Sequence, residues 1–424
     1  MTSCAVEHGS AVDAAVRTRR LLVAGGFVLS LVLFFVVYRP WDLANAFMIG
    51  APFGRDFANF WAGGHLALTG RFDLLVDFTG YNDFIATTFH HDPTDQLVFS
   101  YPPILLPFLV PFGALPFGLA VLVWTVLNVA LIERSARLLA GHDRACRVAA
   151  CISPATVTMV AYGHFGGALA LLGTYAVTHA AKRPRIAGLC LALMSVKPQF
   201  AVSLGVLLLI AGRWRAVLWS LPVTLGLVGL SLAMFGLKPW VNFLEWTLPF
   251  QTQLVTHYAP EVLKRTASLY AAASLLGLPE WIGYGLHFGV AAVVLIGSAT
   301  LLRRVGATPR IVALALLSVL IALPYLHNYD LAVAGPAVAV ALFAGKPGES
   351  RPFLSIVPAT LLWLVPTFSL SFDMLAMPVT PLVVAGALLT ALCGETIRFA
   401  TASGRLICPP ALRPRLPPNE ARTS

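Results

Sequence analysis

An all-α polytopic membrane protein is what this chain of 424 residues predicts, and three observations carry the expectation. Residues are 58% hydrophobic with a mean hydropathy of +0.79, and only 11% are charged, against about 25% in ordinary globular domains. Such a chain has too few polar groups to cover a soluble surface. Its apolar residues instead come in repeated blocks long enough to cross a hydrocarbon core of roughly 30 Å. Finally, the basic residues sort by side. With the amino terminus in the cytoplasm, 22 of the 29 Lys and Arg fall inside, leaving Arg39, Arg55, Arg71, Lys197, Lys238, Lys264 and Arg265 outside. A secreted soluble enzyme, a nucleic-acid-binding domain and a disordered chain are excluded. The net charge of +10 is therefore an orientation signal and predicts no nucleic-acid partner.

Residues 1–20 form a cytoplasmic segment. The first apolar run, about Leu21 to Val37 within an expected helix 20–38, follows Arg17, Arg19 and Arg20 and has no small-residue cleavage site after it, so it is expected to be an uncleaved span. The first outer loop, 39–102, carries Trp41, Phe47, Phe53, Phe57, Phe60 and Trp61 and is expected to lie on the membrane surface as interfacial helices. Within it, residues 56–68 have helical composition, with Phe60, Gly64 and Leu68 on one face. A loop this long among short ones is expected to be functional. The run 101–116 contains Pro102, Pro103, Pro107, Pro111 and Pro116. It opens the second span, 103–132, as a broken or re-entrant segment, because proline removes main-chain donors that protein or a cavity must make good.

Further spans are expected at 147–162, 164–181, 185–197, 199–212 and 216–236. A second outer loop, 237–280, holds Trp240, Trp246, His257 and Tyr258. The last spans are 281–302, 309–326, 329–344, 353–370 and 378–398, making about twelve within one integral membrane domain, 21–400. The Pro- and Arg-rich tail, 401–424, is expected to be cytoplasmic and disordered. The cysteines (Cys4, Cys146, Cys151, Cys190, Cys393 and Cys408) show no C-x-x-C spacing and fall in cytoplasmic segments or helices, so neither zinc nor disulfides are expected.

Ionisable groups at membrane depth are costly, which makes the few near the outer boundary the candidates for chemistry. Asp56, in Gly54-Arg55-Asp56-Phe57-Ala58-Asn59-Phe60-Trp61, sits at the start of an interfacial helix, whose dipole favours an anion. It would serve as a general base towards an acceptor hydroxyl; the competing reading is a helix-start charge partnered by Arg55. Lys197, in Ser195-Val196-Lys197-Pro198-Gln199-Phe200, is the lone charge between Arg185 and Arg213. It would bind a phosphate, or else snorkel to the outer surface. The turn Leu323-Pro324-Tyr325-Leu326-His327-Asn328-Tyr329-Asp330 offers His327 as an orienting, proton-relaying or phosphate-contacting group, against the plain reading of a polar loop. His164, after Tyr162-Gly163, is a weaker candidate. In this topology Asp56, Tyr101, His164, Lys197, His327 and Tyr329 all fall at the outer boundary, which suits transfer chemistry on a lipid phosphate. Asp73, Asp77 and Asp83 read as a solvated surface, and no obligatory metal is expected.

Taken together, these stretches resemble glycosyltransferase family 87, membrane enzymes of the GT-C class that are mannosyltransferase-like and use polyprenyl-phosphate sugars. The resemblance rests on Asp56-Phe57 followed by Phe60-Trp61, on Phe99-Ser100-Tyr101-Pro102-Pro103, on Ala187-Gly188 leading to Lys197-Pro198-Gln199, and on His327-Asn328-Tyr329-Asp330. It implies a GT-C-like bundle and inverting transfer of a hexose to a lipid or glycan acceptor at the periplasmic face of the cell inner membrane. It also implies Asp56 as catalytic base, His327 assisting near the donor phosphate, and Tyr101, Lys197, Gln199, Asn328 and Tyr329 among the substrate contacts. Where family members often read Gly-Gln-x-Asn, this chain has Gly163-His164-Phe165-Gly166, which puts His164 at a substrate-contacting turn. The alternatives are a transporter or flippase of a lipid-linked sugar and a non-catalytic envelope-assembly protein. The first would favour midplane groups and internal repeats, neither of which is evident here.

Overall fold

The computed structural model describes residues 23–38, 54–89, 97–256, 266–343, 354–375 and 377–403, with single positions 17, 21 and 263. The segment 1–16, the aromatic positions Trp41, Phe47 and Phe53, the loop residues His257 and Tyr258, Cys4, Cys408 and the tail 404–424 lie outside the described residues. Among the described residues the fold is helical throughout, and extended pairing is limited to one isolated bridge between Thr266 and His327.

In chain order the helices before the second loop are α1 (Val23–Val36), α2 (Arg55–Leu68), α3 (Phe78–Phe89), α4 (Leu106–Gly113), α5 (Phe117–Ala140), α6 (Arg144–Cys151), α7 (Pro154–Tyr162), α8 (Gly166–His179), α9 (Pro184–Leu193), α10 (Pro198–Ile210) and α11 (Trp214–Phe235). Short helices α12 (Lys238–Asn242), α13 (Leu248–Thr256) and α14 (Leu269–Leu275) occupy the second loop. They are followed by α15 (Glu280–Arg304), α16 (Pro309–Ile321), α17 (Gly335–Phe343), α18 (Ile356–Met374) and α19 (Val379–Ala402). Among the described residues, five stretches are long and apolar enough to cross a membrane: Phe117–Ala140, Arg144–Tyr162, Trp214–Phe235, Glu280–Arg304 and Val379–Ala402. The chain is a multi-pass membrane protein.

Local chemistry explains the starts and breaks. Proline opens α7, α9, α10 and α16, where its missing N–H costs no helical bond. Side-chain caps from Asp143, Ser153, Ser268 and Thr308 accept main-chain N–H groups at 3.1–3.4 Å. The proline-rich run is broken, as expected, into a 3₁₀ turn (Pro103–Leu105), α4 and α5. The expected span 147–162 instead comprises two helices, because Ser153 caps a new start at Pro154. The expected span 329–344 likewise begins as a 3₁₀ turn, Asn328–Val333, before α17.

Burial divides the bundle. Every residue of α16 from Ile311 to Ile321 is buried, which is what an all-round apolar helix at the centre requires. By contrast α11 exposes Leu218, Leu221, Leu225 and Met234, a face suited to lipid. The first-loop helix α2 belongs to the core: Phe57, Phe60 and Leu66 are fully buried. It lies against α4 at main-chain distance, where a Cβ on Gly64 would meet the Leu109 carbonyl and one on Gly113 would meet the His65 backbone.

Candidate functional site

One contact positions the amino end of α2. The Gly54 N–H donates to the Ala161 carbonyl at 2.8 Å, joining α2 to the end of α7. At that end Gly163 has φ +70°, and a Cβ there would stand 2.6 Å from the Phe57 Cβ. Only glycine accepts both the left-handed backbone and the approach. The Trp124 indole N–H secures the turn by donating to the Gly163 carbonyl at 2.8 Å. Phe57 and Phe60 pack on Trp124 with centroids 5.2 and 5.6 Å apart, so the first turn of α2, which carries Asp56, is pinned.

Around that point the structure gathers groups from five stretches of chain. Asp56 is half-buried and accepts a hydrogen bond from the Tyr329 hydroxyl. Burial pushes its carboxyl up to about 6, Arg55 and Lys197 act against that rise, and Asp330 adds to it. The Arg55 charge is thus present, as the plainer reading of Asp56 supposed, but it does not outweigh desolvation. Tyr101 is held well above the usual phenol range by burial and then by Asp56, so its hydroxyl remains a donor.

Lys197 does not snorkel. It is 6% exposed, and its Nζ lies 2.6 Å from Asp330 Oδ1, with the rings of Phe200 and Tyr329 at 5.0 and 5.4 Å. The other Asp330 oxygen, Oδ2, accepts the His327 main-chain N–H at 3.1 Å, closing the 3₁₀ turn in the manner of a helix cap. His327 stacks on Tyr329 at 5.0 Å and meets Tyr325 edge-on at 4.7 Å.

His164 sits between Phe165 and Tyr329, each ring 4.3 Å away, and is almost fully buried. Its Nε2 faces two donors, the Tyr101 hydroxyl and the Lys197 ammonium, each at 3.5 Å. That places the ring proton on Nδ1, which has no hydrogen-bond partner among the described residues.

The structure therefore brings together Asp56, Tyr101, His164, Lys197, His327 and Tyr329, with Asn328 buried in the same turn. It does not bring in Gln199, which is half-buried and makes no hydrogen bond to the group. Asp330 and the Gly54–Gly163 contact are what sequence reasoning passed over. Beside Tyr101 lies a small apolar cavity walled by Phe72, Leu75, Phe99, Pro239 and Phe243. Over it Asp73 pairs with Lys238 at 2.6 Å, and the Asn242 amide donates to the Phe72 carbonyl at 3.3 Å. Among the described residues no three His, Cys, Asp or Glu side chains form a metal-binding group, and Cys146, Cys151, Cys190 and Cys393 are free thiols.

No curated protein and no solved structure matches the chain. The family model of glycosyltransferase family 87 matches residues 99–324. The matched span includes Tyr101, His164, Lys197 and Gln199, while Asp56 precedes it and the 327–330 turn directly follows it. Because the match covers more than half of a chain that is helical and multi-pass, the protein belongs to glycosyltransferase family 87 and is a membrane glycosyltransferase.

Proposed function

We propose that the protein transfers a hexose, mannose-like, from a polyprenyl-phosphate donor to a lipid or glycan acceptor, inverting the anomeric centre, with Asp56 as general base. The observation that carries this reading is the half-buried Asp56 carboxyl, pushed up to about 6 and hydrogen-bonded by Tyr329 inside a cluster that also holds a lysine and two histidines. A base of that strength is deprotonated at neutral pH yet basic enough to draw a proton as the acceptor oxygen attacks. The bond from the anomeric carbon to the phosphate oxygen breaks, and its electron pair leaves with the lipid phosphate. Because the phosphate departs as a stable anion, it needs no general acid. Lys197 and His327 supply positive charge and donors to that anion, so no obligatory metal is proposed.

In the same reading His164 offers its Nδ1–H to the sugar or acceptor, and Tyr101, Asn328 and Tyr329 contact substrate. Gln199 would reach it only from the half-buried start of α10. The site faces the periplasm from a bundle of about twelve spans, residues 21–400, in the inner membrane. The loops 39–102 and 237–280 would lie outside, with 1–20 and 401–424 in the cytoplasm. The distribution of Lys and Arg supports this orientation. Membership of a glycosyltransferase family favours this reading over a flippase or an assembly protein.

Membranes containing the protein, supplied with radiolabelled polyprenyl-phosphate mannose and acceptor lipid, test it. Asp56→Ala is expected to lower transfer about 10²–10⁴-fold. Absence of transfer by the wild type, or undiminished transfer by Asp56→Ala, sinks the proposal.

A further inference from the structure

Lys197 and Asp56 lie in one cluster, and a lysine beside a carboxylate ordinarily forms an ion pair with it and weakens it as a base. Here the ammonium is turned elsewhere. Its Nζ sits 2.6 Å from Asp330 Oδ1, in a pair whose side chains are only 8% and 1% exposed. The second Asp330 oxygen is occupied by the His327 N–H at 3.1 Å, so the carboxylate is fixed at both ends and its turn is fixed with it. That turn also carries Tyr329, whose hydroxyl donates to Asp56.

We propose that Asp330 is a positioning residue that holds Lys197 away from Asp56 and keeps Asp56 free to act as the base. Resting on the reading of Asp56 as base, this gives a role to a buried acid that the transfer step does not use. One carboxylate neutralises the lysine, orients it beside the phosphate position and closes the 327–330 turn. The groups acting on Asp56 are Arg55 on its own helix, Lys197 at the start of α10, Tyr329 and Asp330 on the 3₁₀ turn, and Tyr101 ahead of α4. Of these, Lys197 is the cation that loses its partner when Asp330 is neutralised, and Asp56 is then the carboxylate left for it.

The experiment uses full-length protein in lipid nanodiscs. Infrared difference spectra across pH follow the protonated-carboxyl band that Asp56→Asn removes, and transfer from polyprenyl-phosphate mannose is followed in parallel. Asp330→Asn is nearly isosteric and retains an oxygen for the His327 N–H. The band is expected to titrate near 6 in the wild type and at lower pH in Asp330→Asn, whose acid limb of kcat moves with it while transfer at pH 7 falls roughly tenfold. An unmoved or raised band in folded Asp330→Asn overturns the proposal, since a merely structural role would lower activity without moving the titration. Lys197→Met/Asp330→Asn serves where the single variant does not accumulate. Its midpoint stays near that of the wild type if the two charges cancel at Asp56, and a marked rise shows Lys197 already paired with Asp56 and overturns the idea. A band that shifts as expected in protein that transfers no mannose supports the role of Asp330 and sinks the role of Asp56 as base.

Discussion

Two lysine–aspartate pairs in this protein close at the same 2.6 Å, and they are not alike. In Lys197–Asp330 the side chains are 8% and 1% exposed; in Lys238–Asp73 they are 58% and 71% exposed. Water screens the second pair, and such pairs contribute about 0–1 kcal/mol. The first has exchanged hydration for one partner, a main-chain N–H and two aromatic faces, so removing either charge strands the other in a poorly solvating medium. Distance does not rank the two; surroundings do. The exposed pair ties two loops across a cavity, whereas the buried pair organises the charge beside Asp56.

Lys197→Met is the severest test of that contrast. It is expected to destabilise the fold by about 3–5 kcal/mol by leaving Asp330 uncompensated, with much of the loss recovered in Lys197→Met/Asp330→Asn. Thermal melts in detergent measure it, and a Lys197→Met protein as stable as the wild type would break the comparison. Gly163→Ala sharpens it by disturbing the other support of the site. A left-handed φ of +70° and a Cβ 2.6 Å from that of Phe57 together predict a loss of about 1–3 kcal/mol, read in the same melts, and slower transfer as Asp56 is displaced.

A pH profile comes next. With the Asp56 carboxyl at about 6, transfer falls roughly tenfold per pH unit below that value. Because 6 lies above the ordinary 3.8, the folded state holds the proton more tightly than the unfolded chain. Between those values, therefore, this group's contribution to stability declines as pH rises. A flat rate between about pH 5 and about pH 7 removes Asp56 from the rate-determining proton transfer. The smallest effect belongs to Lys238→Met: about 1 kcal/mol or less, diminishing further in high salt.

What was legible beforehand follows from rarity. In a chain with 11% charged residues, Asp56, Lys197 and His327 stand out against apolar surroundings, and the structure draws them into one cluster. Asp330 did not stand out because it resembles any acid in a polar turn. Its spacing three residues after His327, which suits a capping contact, was the available signal. Gln199 is a different case: it follows Lys197 in sequence but stands half-buried in the first turn of the helix that Pro198 opens, without a hydrogen bond to the cluster. The break at Pro103–Gly113 was visible because prolines announce it. The break before Pro154 was announced as well, by Ser153-Pro154, but a continuous apolar run concealed it. The meeting of Gly54 with Ala161 and Gly163 joins distant parts of the chain through main-chain atoms, and no side-chain pattern encodes it.

The backbone-to-backbone seat of α2 on α4 has a consequence for traffic. Helices separated by side chains can slide as rotamers change, but a pair in contact at Gly64 and Gly113 has no such slack. The stretch bearing Asp56 is thus a fixed jamb and not a swinging door. Phe72–Leu75 and Lys238–Asn242 are tied differently, by a solvent-exposed ion pair and an amide hydrogen bond, so under the proposed function they are the side with slack to give way to a lipid donor.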